Sequence, residues 1–377
     1  MITIRRATLA DKDAIFRFIQ QVHADRWQYK IPERWQWEFV DNPFLKDDRL
    51  PIWIALDEVG NVVGQACSLV EPLKIGDQIR RVGWGVDVFL LPDHRGQGIG
   101  YQLNNNNDQD NEIFLSLSMS KTIRRIKADA GSVPLSPVPS YTRLLRYTPE
   151  SLWAAVVKRL GITRKSIATI LNSSLRWTRV DRMAAGLLNL WLGLRDKKQF
   201  GAVDKGICII EVERFSPEVN TLWEKVSHFF YAIVERKDSY LNWKYVQQPF
   251  VHYKKCLAMR KGDIVGYIIF RLGSPPERNV GIIADLLAAP DEPGTIRALY
   301  SYAIKWLKNA GAKDLLTATS VKAYQECLES LGLKKIREDA PMLHCKIEGL
   351  DCAQAYQQGS WFLAKSDHDW DQFPLAR

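Results

Sequence analysis

The 377-residue sequence predicts a mixed α/β protein made of two related halves that a basic segment joins. A strand, a glycine-rich loop and a helix follow one another over residues 87–103, and several motifs of the first half recur in the same order in the second. Residues 141–205 carry 13 Lys and Arg against 4 Asp and Glu, so this segment accounts for the whole net charge of +9.

Strands and helices alternate along the first half. Ile2–Arg6 is a predicted strand, and the spacing of apolar residues over Asp13–His23 predicts a helix. Residues 51–70 form a predicted hairpin with Gly60 in its turn, and residues 78–91 form the strand that leads into the glycine loop.

The helix that follows the loop contains the run Asn104–Asp108. Asn and Asp side chains compete for backbone hydrogen bonds, so we expect this helix to be short. Residues 114–119 then predict a strand, 122–130 a helix that Gly131 ends, and 141–146 the last strand of the first half.

The glycine loop has the composition of an anion site. Glycines at 96, 98 and 100 leave the backbone N–H groups accessible, and the helix N-terminus behind them adds donors and a positive dipole end. The dinucleotide pattern fails, because its third glycine falls on Tyr101 or Leu103. A Walker Gly-Lys-Ser/Thr sequence is absent, so neither common phosphate loop applies.

The pattern Arg95-x-x-Gly98-x-Gly100, preceded by a strand and Pro92, resembles motif A of the GNAT N-acetyltransferase superfamily. A glycine-rich turn without a ligand is the alternative. The resemblance implies two GNAT-like domains, each a twisted, mixed, mainly antiparallel sheet flanked by helices. It also implies acetyl-CoA as the bound substrate. The residues it assigns to acetyl-CoA are Phe89, Leu90, Leu91, Arg95, Gly96, Gln97, Gly98, Ile99 and Gly100.

The second half repeats three motifs of the first. Trp37–Phe44 matches Trp243–Phe250, Gly60–Gly64 matches Gly262–Gly266, and Asp87–Pro92 matches Asp285–Pro290. Where the first half has its glycine loop, the second reads Asp-Glu-Pro-Gly-Thr at 291–295, and acids and a proline disfavour phosphate. We therefore expect the second half to keep the fold and to have lost acetyl-CoA.

The expected domains follow from this repeat. They are an N-terminal GNAT domain at 1–147, a basic helical insert at 148–205, a degenerate GNAT-like domain at 206–349 and a tail with a last strand at 350–377.

Acetyl transfer requires a neutral amine, a donor for the oxyanion and a proton or charge for the departing thiolate. Asp87 is the best candidate for the base, although Asp285 at the matching position suggests an aspartate that stabilises a strand bulge in both halves. The Leu-Tyr-x-x-x-Gly tyrosine that GNAT enzymes often use is missing, since Lys127 and Leu328 stand there. Lys127 is a candidate for stabilising the thiolate, with solvent exposure as the alternative.

Two further segments have open interpretations. Met183–Leu194, with basic residues on both sides, has the composition of an interfacial helix, so residues 176–198 could contact a membrane; we favour an inter-domain helix that packs on a neighbour. The acidic stretch Ser366–Asp371 could attract a cationic substrate or be a solvated turn.

Other partners and locations are not indicated. The six cysteines form no Cys-x-x-Cys pair, so no metal site is expected, and no nucleic-acid motif accompanies the basic segment. The N-terminus shows no signal peptide, and no apolar run approaches the ~20 residues of a membrane span. We expect a cytoplasmic protein, with contact to the inner face of a membrane left open.

The expected function is transfer of an acetyl group from acetyl-CoA to a primary amine by direct attack in a ternary complex. A small-molecule acceptor is favoured over a protein, and the oligomeric state stays open. The alternative is a non-catalytic acyl-CoA-binding or scaffold protein, peripheral to a membrane through the basic insert.

Overall fold

The computed structural model describes residues 1–45, 49–152, 180–201, 206–273, 279–347 and 352–369. Its strands are β1 Thr3–Arg6, β2 Ile52–Leu56, β3 Val62–Ile75, β4 Gln78–Leu90, β5 Ile113–Ser116, β6 Val133–Pro134, β7 Val138–Leu144, β8 Cys208–Val212, β9 Ala232–Val234, β10 Lys254–Arg260, β11 Asp263–Leu272, β12 Val280–Ala288, β13 Asp314–Ala318, β14 Lys334–Asp339, β15 Met342–Cys345 and β16 Trp361–Phe362. Its α-helices are α1 Lys12–His23, α2 Glu33–Phe39, α3 Ile99–Gln109, α4 Lys121–Asp129, α5 Val180–Phe200, α6 Val219–Val226, α7 Asp238–Tyr245, α8 Pro293–Asn309, α9 Lys322–Ser330 and α10 Cys352–Ala355.

Two mixed sheets with flanking helices form the molecule, as the sequence predicts. The first sheet has the order β1-β2-β3-β4-β5-β15-β6, and β9 and β16 extend it beside β3. The second has the order β8-β10-β11-β12-β13-β7-β14. In each sheet the long central strands are antiparallel, and a parallel pair, β4–β5 or β12–β13, interrupts the pattern; β9 and β16 form a second parallel pair in the first sheet.

The two sheets exchange a strand. β7, from the first half, lies between β13 and β14 of the second sheet, and β15, from the second half, lies between β5 and β6 of the first. The two exchanges are reciprocal and occupy equivalent positions, which supports a duplicated domain. The expected limits 1–147 and 206–349 therefore describe stretches of chain rather than complete sheets, because each sheet includes a strand from the other stretch.

The packing of the two halves repeats this symmetry. The matched Trp37 and Trp243 stack on each other with ring centroids 4.7 Å apart and planes at 17°, and Nε1 of Trp37 donates to the carbonyl of Trp243. Both indoles are buried, and the apolar residues of the two halves merge into one continuous core. Trp37 and Trp243 thus pack at the contact between the two halves.

The expectation of a short helix after the glycine loop is wrong, because α3 runs for 11 residues. Asn107 faces the sheet and finds partners there: its Nδ2 donates to the carbonyl of Cys67, and its Oδ1 accepts from the hydroxyl of Ser68. Nδ2 of Asn104 donates within the helix, to the carbonyl of Gly100. The tertiary hydrogen bonds of Asn107 offset the weak helix preference of asparagine.

The basic insert is described only in part. Residues 180–200 form α5, as the sequence predicts, and α5 packs beside α8 through Asp196 and Lys308. Residues 153–179 and 202–205 lie outside the described part, and with them much of the helical insert expected at 148–205, including Arg176 and Arg179. Residues 370–371 of the acidic tail also lie outside it.

Candidate functional site

A cleft opens where the parallel pair of the first sheet separates. β4 pairs with β5 only at residues 82–84, whereas β4 continues to Leu90. The free edge of β4, the N-terminal turn of α3 and helix α4 enclose a cavity of about 520 Å³. This volume lies within the usual range of small-molecule sites, and one wall of the cavity is mostly apolar.

The glycine loop forms the polar end of this cleft. Gly96 and Gly98 have φ angles of +80° and +77°, a region that favours glycine, and a Cβ built on either meets nothing within 4 Å. Gly98 is also the N-cap of α3, so the unpaired N–H groups and the positive dipole end of that helix face the same open space. The loop is therefore a preformed anion site, open to solvent.

The cleft lining contains most of the residues that the sequence assigns to acetyl-CoA. Phe89, Leu90, Arg95, Gly96, Gly98 and Gly100 line it. Three assigned residues are not in the lining. Ile99 packs its side chain into the core, Leu91 donates its N–H to the carbonyl of Val63, and the amide of Gln97 bonds the carbonyl of Asp93.

Sequence reasoning missed the other wall of the cleft. It consists of residues from the end of β4, from α3 and from α4, namely Val88, Tyr101, Leu103, Asn104, Ser120, Thr122, Ile123 and Ile126. Ser120 carried a signal, because its hydroxyl caps α4 by accepting the N–H of Ile123, as a serine before a predicted helix suggests.

The matching anion site of the second half is filled by the protein itself. Glu292 is the N-cap of α8, the position that Gly98 has on α3. Both carboxylate oxygens of Glu292 accept from the guanidinium of Arg260, at 3.1 and 2.9 Å, and the next residue is Pro293, which has no N–H. A carboxylate thus stands where a phosphate would bind.

The matching cleft of the second half is closed as well. A cavity of about 10 Å³ lies beside Asp285 and Tyr324, between β12, β13, α8 and α9. Tyr324 fills the space: its hydroxyl donates to the carbonyl of Ala288 and accepts the N–H of Ala288 at 2.9 Å. Tyr324 occupies on α9 the place of Ile123 on α4, and Ala288 occupies on β12 the place of Leu90 on β4. The geometry thus favours the first half as the cofactor-binding half.

Asp87 sits in a bulge of β4 and is held by a cation. Its φ is +49°, and the register between β3 and β4 shifts beside it. Oδ1 of Asp87 accepts from Nζ of Lys30 at 2.6 Å, and only 9% of its side chain and 7% of that of Lys30 are exposed.

Asp285 repeats this arrangement in the half that has no open cleft. It lies beside the register shift between β11 and β12, and Nε of Arg236 donates to its Oδ2 at 3.2 Å. Arg236 stands at the same distance before Trp243 as Lys30 stands before Trp37. The pair of Asp285 and Arg236 exists in a half that has no open cleft, so a structural role explains it. The geometry therefore favours the same structural role, at a strand bulge, for Asp87. In both halves a buried cation, Lys30 or Arg236, holds the aspartate.

Lys127 lies away from the cleft lining. Its ammonium pairs with Asp108 of α3 and lies 4.4 Å above the ring of Phe114, with both charged side chains buried. Burial lowers the pKa of Lys127 and raises the pKa of Asp108. The solvent-exposed alternative is wrong, because only 2% of Lys127 is exposed, and the pairing with Asp108 does not favour a role at the thiolate.

His23 is a candidate that the sequence analysis did not name. Its ring packs edge-to-face with that of Phe89, with ring centroids 4.7 Å apart, and Phe89 lines the cleft. Its Nε2 is buried without a hydrogen-bond partner among the described residues. Burial lowers the pKa of His23, with the charges of Asp87 and Lys30 as smaller and opposed effects. The imidazole is therefore neutral near pH 7.

The acidic tail is not a solvated turn in its described part. Asp367 is buried and accepts from the guanidinium of Arg236 at 2.7 Å. Nε2 of His368 lies 2.8 Å from the carbonyl of Gly85, and its Nδ1 lies 2.6 Å from Asp369. Asp367 and Asp369 are thus paired within the protein, and the tail contacts both bulged strands.

The described ranges contain no candidate metal centre and no candidate membrane span. No three His, Cys, Asp or Glu side chains there are grouped so that they could hold a metal ion. No helix there has both the length and the apolar composition needed to cross a membrane.

Part of the first half of the chain is similar to a known protein family. Residues 16–106, which include the glycine loop, match the acetyltransferase (GNAT) family. No curated protein matches the chain in sequence.

Solved structures share the fold over nearly the whole chain. A GCN5-related N-acetyltransferase from Anabaena variabilis aligns over 92% of this chain and 73% of its own, with a TM-score of 0.59 and 12% identity. Eis1 from Mycobacterium abscessus aligns over 95% and 76%, with a TM-score of 0.51 and 14% identity. Saccharomyces cerevisiae N-myristoyltransferase with bound myristoyl-CoA aligns over 91% and 82%, with a TM-score of 0.52 and 10% identity.

Proposed function

We propose, from the match of residues 16–106 to the acetyltransferase (GNAT) family, that the chain transfers an acetyl group from acetyl-CoA to a primary amine. The fold supports acyl transfer from an acyl-CoA. Acetyl as the acyl group and a small molecule as the acceptor are our proposal. The half-chain at 1–147 would bind the acyl-CoA, and the half at 206–349 would support the fold of the site.

The contrast between the two clefts carries this proposal. The first cleft has about 520 Å³ and open glycines at its polar end. In the second half the hydroxyl of Tyr324 bonds the backbone of Ala288, and the carboxylate of Glu292 stands at the N-cap of α8. A purely structural duplication gives no reason to keep one cleft open.

Different parts of the first cleft suit different parts of acetyl-CoA. The N–H groups around Gly96 and Gly98 and the guanidinium of Arg95 suit the pyrophosphate, because they place donors and positive charge in open space. The apolar wall, which includes Phe89 and Ile126, suits the less polar arm of CoA and the acyl group. The amine would then attack the thioester at the end of the cleft near Phe89.

Turnover with free thiol as the readout tests the function. We expect CoA release from acetyl-CoA that depends on an added amine, with amino sugars and amino-acid-like amines as the first acceptors. Longer acyl-CoA donors in the same assay test the choice of acetyl. Binding of acetyl-CoA without release of thiol for any amine would support the non-catalytic alternative instead.

Two variants separate the candidates for the base. Asp87→Asn removes the carboxylate that accepts the hydrogen bond of Lys30, so we expect a loss of about 2–3 kcal/mol in unfolding free energy. Asp285→Asn is the matched variant, and we expect it to be destabilised in the same way. His23→Gln should instead lower turnover by ~10²–10⁴-fold with little effect on stability, if the imidazole accepts the amine proton.

The pH dependence of turnover also distinguishes His23 from Asp87 as the base. Wild-type turnover should fall as the pH drops through the lowered pKa of His23, because the protonated ring cannot accept a proton. His23→Gln should lose that limb of the profile. A stable Asp87→Asn protein with a large loss of turnover at pH 7, recovered as the pH rises, would return the role of base to Asp87.

A further inference from the structure

Helix α5 presents a continuous apolar face to solvent. Five large side chains on this face are mostly exposed: Met183 by 69%, Leu187 by 69%, Leu190 by 64%, Trp191 by 54% and Leu194 by 59%. Their spacing of three and four residues places them on one face, and Ala185 and Leu192 on the opposite face are buried. Single exposed apolar residues are common, but a stripe of this kind marks an interaction surface. We call it the apolar stripe.

The charges of α5 at this surface are positive. Lys197 and Lys198 are exposed and continue the apolar stripe at its C-terminal end. The guanidinium of Arg195 lies 5.4 Å above the ring of Trp191. The two acidic residues of the helix are off the stripe: helical spacing puts Asp181 on the opposite face, and Asp196 pairs with Lys308 at 2.5 Å and with Arg143.

A basic cavity adjoins the stripe. It measures about 410 Å³ and lies between the C-terminal end of α5 and α8, with Lys197, Lys305 and Lys308 in its lining. Nζ of Lys305 lies 5.6 Å above the ring of Phe200. Lys308 is engaged by Asp196, so Lys197 and Lys305 are the cations that can turn to a bound phosphate. Lys197 borders both the cavity and the apolar stripe.

We propose that α5 docks the protein on an anionic lipid surface, with the apolar stripe in the interface and a lipid phosphate in the lysine cavity. Apolar residues flanked by lysine and arginine are the composition that binds such surfaces. A second copy whose α5 packs in parallel fits less well, because the two Lys197 and Lys198 pairs would come together; a copy that packs antiparallel is an outcome of the test below. This surface is separate from the cleft, so the inference does not depend on acyl transfer.

Vesicle co-sedimentation of the full chain tests the proposal. We expect binding to phosphatidylcholine vesicles that contain phosphatidylglycerol, weakened by salt because screening shortens the reach of the charges. Replacing Lys197, Lys198 and Lys305 by alanine should weaken binding by about 100-fold, roughly fivefold for each lysine. The triple substitution Leu187→Ser, Leu190→Ser, Leu194→Ser should abolish it, and circular dichroism should show both variants folded.

The matched control removes three positive charges elsewhere. Lys121, Lys322 and Lys334 are exposed residues on other elements, and their replacement by alanine should leave vesicle binding within about twofold of wild type. Absence of binding to anionic vesicles at low salt would overturn the proposal, as would equal binding to phosphatidylcholine alone. Light scattering could instead show a dimer of the wild-type chain that becomes a monomer in the leucine variant. Such a dimer, without vesicle binding, would assign the apolar stripe to contact with a second copy.

Discussion

Gly98→Asp is expected to reduce the affinity for CoA by at least about 100-fold, which corresponds to about 2.7 kcal/mol. The new carboxylate would lie at the N-cap of α3, in the open space that the pyrophosphate needs, and the like charges repel. Aspartate is a good N-cap, so the helix should remain stable. The variant copies Glu292, the carboxylate that occupies the same position on α8.

Gly98→Asn is the matched control. Asparagine and aspartate have the same size, and both tolerate the left-handed backbone that Gly98 adopts at φ +77°. The two variants therefore differ mainly in charge. We expect less than about a tenfold loss of affinity for Gly98→Asn by calorimetry. Equal losses in both variants would mean that the space at Gly98, and not the charge, governs binding.

Ile123→Tyr is expected to close the first cleft. In the second half the hydroxyl of Tyr324 bonds both the N–H and the carbonyl of Ala288. A tyrosine at 123 would reach the equivalent backbone of Leu90. CoA affinity should fall by at least about 100-fold, because the ring occupies the apolar part of the cleft.

Ile123→Leu keeps the volume and serves as the control, with an expected change in affinity within about threefold. Thermal unfolding of Ile123→Tyr should be close to wild type, because the tyrosine enters existing space and not the packed core. Wild-type affinity in folded Ile123→Tyr would mean that CoA does not use this cleft.

The local features of the fold could be predicted from the sequence, because each depends on residues close together in the chain. The glycine loop, the hairpin turn at Gly60 and the end of α4 before Gly131 are examples, and Gly60, Gly96, Gly98 and Gly131 all have positive φ angles in the structure. The different loop of the second half was visible in the same way, from two acids and a proline.

Features that depend on distant partners could not be predicted in this way. The exchange of β7 and β15 concerns which of two equivalent sheets a strand joins, and both choices satisfy the same hydrophobic pattern. The length of α3 depends on Ser68 and Cys67 in another strand. One signal was present: Lys30 and Arg236 stand at equal distances before the matched tryptophans, so the repeat itself pointed to the cations beside Asp87 and Asp285.

Calorimetric titration of the wild-type chain with CoA tests the central claim most directly. The open first cleft and the filled second cleft predict one binding site per chain, and this site should be lost in Gly98→Asp and kept in Gly98→Asn. Two equivalent sites per chain, or one site that persists unchanged in Gly98→Asp, would contradict the assignment of the acyl-CoA to the first half.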